Sequence, residues 1–142
     1  MRRSMTLLIT LALLAAACER PRDTASDRDL ATRALRGVLA YPQSSLVSIS
    51  AGNEAAELAF ASPDSVPHVA EWYRQVLLLN GWEVRSDVTQ KDGSVRIYAQ
   101  KDTQPLWVSM RPSVGGPGGG TSYTLVGAIP RADSTKKDSI RR

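Results

Sequence analysis

The stretch that decides the fold is SVPHVAEWYRQVLLLNGW, which runs from Ser65 to Trp82. Its apolar residues recur three and four positions apart, which places them on one side of a helix. Asp64 or Ser65 can cap the beginning of this helix, and Asn80-Gly81 can end it with a left-handed glycine. We therefore predict an amphipathic helix from about residue 65 to 80. The apolar stripe consists of Val66, Val69, Ala70, Tyr73, Val76 and Leu77.

A β-hairpin is predicted immediately before this helix. Residues 46–51 and 55–61 have the short apolar and polar pattern of strands. They flank Gly52-Asn53, a dipeptide typical of two-residue hairpin turns. With the turn at this dipeptide Ile49 faces Ala56, and the apolar residues of both strands share one face.

Four further strands are predicted after the helix, and Asp92-Gly93 predicts a tight turn that places Val88 opposite Ile97. Their ranges are Trp82–Gln90, Ser94–Lys101, Leu106–Arg111 and Ser122–Ile129. The expected fold is α+β: an antiparallel β-sheet built from a hairpin, the helix and a four-strand meander, with the one amphipathic helix packed on one face.

The beginning of the chain has the layout of an export signal. A basic start containing Arg2 and Arg3 precedes an apolar run from Met5 to Ala17. This run is shorter than the roughly 20 apolar residues that a membrane-spanning helix needs. We therefore expect residues 1–17 to be a cleaved signal peptide.

The end of this segment, Leu14-Ala15-Ala16-Ala17-Cys18, resembles the lipobox of bacterial lipoprotein precursors. Alanine at position 15 departs from the leucine that the family most often has there. The resemblance implies cleavage before Cys18 and attachment of lipid to its sulfur. Glu19 then favours the outer membrane, on the side facing the periplasm, if the host has two membranes. An ordinary cleaved signal, or a buried thiol at Cys18, is the alternative interpretation.

The rest of the chain is expected to hold one domain. We predict a lipidated tether at 18–44 with a short helix in it, an α+β domain at 45–130 and a disordered basic tail at 131–142. The formal net charge of +4 arises at the two ends, because residues 37–130 hold six Lys or Arg against eight Asp or Glu. A nucleic-acid partner is therefore not expected.

The sequence offers no recognisable catalytic, cofactor or metal-binding arrangement. His68 is the single histidine and Cys18 the single cysteine, so a nucleophile paired with a base is not apparent. The glycine-rich run at 115–120 lacks the Lys-Ser/Thr pair of a phosphate-binding loop. We do not expect an enzyme.

The remaining candidate surface consists of Tyr98, Trp107 and Val126. Strand alternation places these residues on the face opposite the apolar one, where an exposed patch would indicate a partner site. Alternatively, a helix at about 30–40 packs there and buries them. We therefore expect a membrane-anchored envelope lipoprotein whose domain binds an envelope protein or polymer, or else a small ligand held in a pocket between helix and sheet.

Overall fold

The computed structural model describes residues 25–114 and 119–130. The predicted signal peptide, Cys18, the beginning of the tether and the tail at 131–142 lie outside the described residues. Within those two ranges, no helix is both long enough and apolar enough to span a membrane. The elements are α1 (Ala25–Ala34), β1 (Ser45–Ala51), β2 (Ala55–Ser62), α2 (Val66–Leu79), β3 (Glu83–Thr89), β4 (Val95–Lys101), β5 (Gln104–Pro112) and β6 (Thr121–Ala128).

The six strands form one antiparallel sheet in the order β1-β2-β6-β5-β4-β3. The hairpin therefore joins the meander through the pairing of β2 with β6. The α+β class is confirmed, but the prediction of one helix on the sheet is wrong. Both helices pack on the same face, with α1 against β1, β2 and β6 and α2 against β3, β4 and β5.

The core lies between this face and the two helices. One row of residues crosses all six strands on the core side and is apolar except at its β3 end, where Asp87 stands. Arg74 of α2 donates two hydrogen bonds to the Asp87 carboxylate, with N···O distances of 2.6 and 3.1 Å. The row is Ile49, Leu58, Leu125, Val108, Ile97 and Asp87.

Helix α2 confirms the helix predicted from the apolar stripe. The side chain of Ser65 at the N-cap makes no capping hydrogen bond. At the other end Gly81 has a φ of 76°. The amide of Trp82 then donates to the carbonyl of Leu77 at 2.9 Å, which is the bond of a Schellman cap. The buried Trp82 side chain holds the chain in place beyond the helix.

The first hairpin turns one residue later than predicted. Gly52 N–H donates to the carbonyl of Ala55 at 2.9 Å, so the two turn residues are Asn53 and Glu54. Ile49 consequently pairs with Leu58 instead of Ala56. This shift by one turn position changes the pairing by two residues, so Ile49, Ala56 and Leu58 keep their predicted face. Val47 was predicted on that face opposite Leu58, but a bulge between Leu46 and Ser48 places Leu46 there instead and leaves Val47 exposed.

The second hairpin corrects the predicted pairing of Val88 with Ile97. Its loop has three residues and ends at Gly93, which has a φ of 81°, a conformation that glycine adopts without strain. The amide of Gly93 donates to the carbonyl of Gln90 at 3.0 Å. The extra loop residue moves the register by one, so Ile97 pairs with Asp87 and Val88 lies on the opposite, exposed face.

Residues 25–44, which we expected to belong to the tether, pack against the sheet. Ala31, Ala34 and Leu35 are buried, and the Gln104 amide donates to the carbonyl of Ala34 at 2.9 Å. A β-carbon on Gly127 of β6 would lie 2.4 Å from that same carbonyl oxygen. Only a glycine at this position allows α1 to approach the sheet so closely.

Gly127→Ala tests this close approach. The added methyl group forces α1 away from the sheet, so we expect the free energy of unfolding to fall by about 1–3 kcal/mol. Urea unfolding followed by circular dichroism measures it. The control is Gly52→Ala, where the nearest contact would be 3.9 Å and the expected change is within about 0.5 kcal/mol. Equal effects of the two substitutions would refute the packing argument.

Candidate functional site: a groove beneath the first helix

A groove of about 590 Å³ lies between α1 and the β1–β2–β6 part of the sheet. We call it the α1 groove. Nine of the thirteen residues that line it are apolar and the remainder include two arginines. The lining residues are Arg28, Ala31, Thr32, Leu35, Arg36, Gly37, Val38, Ala40, Leu46, Ile49, Leu58, Phe60 and Leu125.

The floor of the α1 groove is formed by two rows of the sheet. Ile49, Leu58 and Leu125 lie side by side in one row, and Leu46 pairs with Phe60 in the next. Leu46 is 50% exposed although it lies on the core side of the sheet. Part of the apolar floor is therefore exposed to solvent, and a ligand could bury it.

The polar residues of the groove all come from α1 and the segment that follows it. Arg28 and Arg36 contribute guanidinium groups, and neither is in an ion pair with another described residue. Thr32 donates its hydroxyl hydrogen to the carbonyl of Arg28 at 2.8 Å, and its oxygen can still accept a hydrogen bond. The groove thus joins an apolar floor to two cationic groups.

The segment between α1 and β1, which forms one end of the groove, is fixed by tyrosine hydroxyls. Tyr41 donates its hydroxyl hydrogen to the Asp64 carboxylate, and this bond raises the pKa of Tyr41. The Tyr41 amide donates to the hydroxyl oxygen of Tyr123 at 3.1 Å. Tyr73 of α2 donates to the carbonyl of Leu39 at 3.2 Å. These bonds hold the segment against the sheet and α2.

Contacts between aromatic rings also hold the segment between α1 and β1 in place. Phe60 stacks on Tyr123 with ring centroids 5.0 Å apart, and Tyr41 meets Trp72 edge to face at 5.4 Å. Aromatic pairs in such geometries contribute about 0.5–1.5 kcal/mol beyond their burial. Because Phe60 also lines the α1 groove, one side of the groove is held in place by these ring contacts.

The interface between α2 and the sheet has no comparable space. Tyr73 and Val69 are completely buried there, and the depression beside Tyr73 measures about 10 Å³. A pocket between helix and sheet was one of our two expectations. The structure places such a pocket beneath α1 and not beneath the helix identified from the sequence.

A second, larger depression of about 920 Å³ lies at the end of the sheet. Three cations and two carboxylates line it: Arg33, Arg36, Lys101, Glu54 and Asp102. Lys101 already donates to the carbonyl of Asn80 at 2.8 Å. The mixed signs give it less selectivity for one ligand charge than the α1 groove has, but the two depressions meet at Arg36.

The predicted partner-surface residues lie together on the other side of the sheet. Tyr98 pairs with Trp107, which in turn pairs with Val126. The two rings stack with centroids 5.3 Å apart, and Trp107 is 43% exposed. Helix α1 packs on the opposite face and does not bury them, so the alternative in which a helix covers this patch is wrong.

The structure does not bring the other residues that were considered from the sequence together in a site. His68 is exposed in the first turn of α2. No group of three or more His, Cys, Asp or Glu residues within the described ranges is arranged to hold a metal ion. Cys18 lies outside those ranges.

The residues of the α1 groove were not identified from the sequence, because α1 has a weak apolar pattern and its place on the sheet is set by packing. The available signal was Gly127, since an isolated glycine within a strand indicates close approach of another backbone.

Comparison with known proteins gives one match. The model of a START domain-like family matches residues 42–122, from the segment before β1 to the beginning of β6. No curated protein and no solved structure gives a significant match. The matched residues include the β1 and β2 side of the α1 groove, whereas α1 itself precedes them. The chain belongs to the START domain-like family.

Proposed function

We propose that this protein is a non-catalytic, lipid-anchored module of the bacterial envelope that binds a small, largely apolar ligand with an anionic group in the α1 groove. The observation that carries the proposal is the groove itself. It combines an open apolar floor with two arginines that have no acidic partner among the described residues.

The size and lining of the groove support a small molecule as the ligand. Pockets that hold such ligands usually enclose about 300–1,000 Å³ and are mostly apolar, and the α1 groove has about 590 Å³. Burial of apolar ligand surface would contribute about 25 cal/mol for each Å² removed from water. Leu46 and Leu58 are the floor residues with the most apolar surface to gain from such burial.

The arginines support an anionic group on that ligand. A guanidinium group binds carboxylate, sulfonate or phosphate oxygens through paired hydrogen bonds. Arg28 and Arg36 line the groove from α1 and the segment that follows it. Membership in the START domain-like family also supports ligand binding over the partner-binding role that we first expected.

The membrane anchor is proposed on the lipobox resemblance at residues 14–18. Each buried lipid methylene contributes about 0.8 kcal/mol, so two or more chains on Cys18 would hold the protein stably. The chain from Cys18 to Ala25 can span at most about 25 Å. The α1 groove would therefore work close to the membrane surface, on the periplasmic side of the outer membrane if the host has two membranes.

Binding in the α1 groove is tested with anilinonaphthalene sulfonate, an apolar fluorescent anion, and residues 18–142 carrying Cys18→Ser. Ala40 is exposed and lines the groove, so Ala40→Trp should fill it. We expect this substitution, and Arg36→Gln, each to weaken probe binding by about tenfold, as expected for loss of about 1.4 kcal/mol. Fluorescence titration measures the dissociation constants.

Matched controls separate the groove from other surfaces. Leu79→Trp adds the same ring at an exposed position of α2, and Arg33→Gln removes an arginine that lines only the other depression. Both should leave the dissociation constant within about twofold. Probe binding that resists Ala40→Trp but is lost in Trp107→Gln would place the site on the other face and refute the proposal.

The anchor is tested separately by metabolic labelling with a palmitate analogue. The wild-type protein should take up label and fractionate with membranes, whereas Cys18→Ser should do neither, because the acceptor sulfur is gone. Ser26→Cys in the Cys18→Ser background is the control for a misplaced thiol and should remain unlabelled. Equal labelling of wild type and Cys18→Ser, or no labelling of either, contradicts the anchor without bearing on the groove.

A further inference from the structure

The last turn of α2 is apolar in every direction. Leu77 is buried against the sheet and Val76 is half-buried. Leu78 and Leu79 lie on the outward side, where they are 64% and 85% exposed. The outward side of a surface helix is normally polar, as it is one or two turns earlier at Glu71. A turn that is apolar all round therefore indicates that its outward side meets another apolar surface.

A third exposed leucine lies beside this turn. Leu39, in the segment between α1 and β1, is 51% exposed. Its carbonyl accepts a hydrogen bond from the Tyr73 hydroxyl of α2 at 3.2 Å, and it lines the same small depression as Asn80. We call Leu39, Leu78 and Leu79 the leucine patch. These side chains gather at one end of the helix layer and are not scattered singly over the surface.

Both helices end at the same side of the sheet, beside the leucine patch. Lys101 of β4 donates to the carbonyl of Asn80 at the end of α2. Gln104 of β5, which pairs with Lys101, donates to the carbonyl of Ala34 at the end of α1. Lys101 and Arg36 line the depression between these ends, which has three cations against two carboxylates. Exposed leucines bordered by basic side chains are typical of surfaces that lie on membranes.

The length of the tether brings this side of the domain within reach of a membrane. Helix α1 has ten residues, so it rises about 15 Å from Ala25 to its end on the side of the leucine patch. The chain from Cys18 to Ala25 can span about 25 Å, which exceeds the length of the helix. A lipid on Cys18 can therefore lie in a membrane plane that also touches the leucine patch.

We propose that the leucine patch rests on the lipid surface to which Cys18 is anchored, with Leu78 and Leu79 at the boundary between headgroups and acyl chains. Lys101 then lies near anionic headgroups. The inference rests on the lipid anchor of the proposed function and adds a second, weaker contact with the same membrane. Lipid is the occupant because the tether supplies it at a high effective concentration, and leucine side chains gain from leaving water for acyl chains.

Vesicle binding by the unlipidated chain tests this contact. Residues 18–142 with Cys18→Ser would be titrated with vesicles of phosphatidylethanolamine and phosphatidylglycerol, and the bound fraction would be measured by flotation. Leu78→Gln combined with Leu79→Gln should weaken binding by at least about tenfold, because the apolar contact is lost. Lys101→Gln should weaken it about threefold on these vesicles, but not on vesicles of neutral phosphatidylcholine.

Matched variants show whether the leucine patch makes the contact. Val47→Gln combined with Val88→Gln removes two exposed apolar side chains from other parts of the surface and should leave vesicle binding within about twofold. In vesicles with brominated acyl chains, the fluorescence added by Leu79→Trp should be quenched, whereas that added by Val88→Trp should not. Thermal unfolding by circular dichroism checks that each variant is folded.

The outcomes separate this contact from the other proposals. Failure to bind vesicles at any lipid concentration, or equal losses in the two double variants, would overturn it. Soluble dimers that the leucine substitutions abolish, without vesicle binding, would assign the leucine patch to a second copy and would also overturn it. Palmitate labelling of Cys18 is measured separately, so a missing anchor and a missing membrane contact are told apart. Neither result bears on ligand binding in the α1 groove.

Discussion

The close contact between the carbonyl of Ala34 and Gly127 is the constraint on which the rest of the structure depends. It brings the end of α1 onto β6, where a β-carbon would stand 2.4 Å from the carbonyl oxygen. Small residues meet there: Ala34 is fully buried and Ala56 lies beside Gly127 in the sheet. The neighbouring rows of the sheet carry larger apolar side chains, and the α1 groove lies over them. Among them α1 leaves Leu46 exposed and Leu58 partly exposed.

The two helices consequently have different roles on the same face of the sheet. Helix α2 fits the sheet closely, with Tyr73 and Val69 completely buried, so this half of the core supplies stability. Helix α1 is short, meets the sheet closely at Ala34 and leaves Leu46 exposed beyond that contact. The segment that follows it is held by Tyr41 and Tyr123. A closely packed half beside a partly open half is an arrangement suited to binding, because the ligand adds contacts without disrupting the core.

The features that depend on hydrophobic periodicity and on turn residues could be predicted from the sequence. The apolar stripe of α2 and the Asn80-Gly81 ending, for example, are local signals, and they located this helix to within one residue at each end. Hairpin registers were predicted less well, because a change from a two-residue to a three-residue loop at Gly93 shifts the strand pairing by one residue. Helix α1 was expected in the tether, because its few apolar residues, such as Ala31 and Ala34, gain their role only against the sheet. The groove could not be predicted without that packing.

Ligand binding beneath α1 is the central claim, and methyl NMR tests it most directly. Residues 18–142 with Cys18→Ser would be titrated with anilinonaphthalene sulfonate. We expect progressive shifts of the methyl signals of Ile49, Leu58 and Leu125, which form part of the groove floor, whereas the signals of Ile97 and Val108 beneath α2 should not shift. Shifts confined to Val126 on the opposite face, or an absence of shifts at the floor residues when the probe is bound, would contradict it.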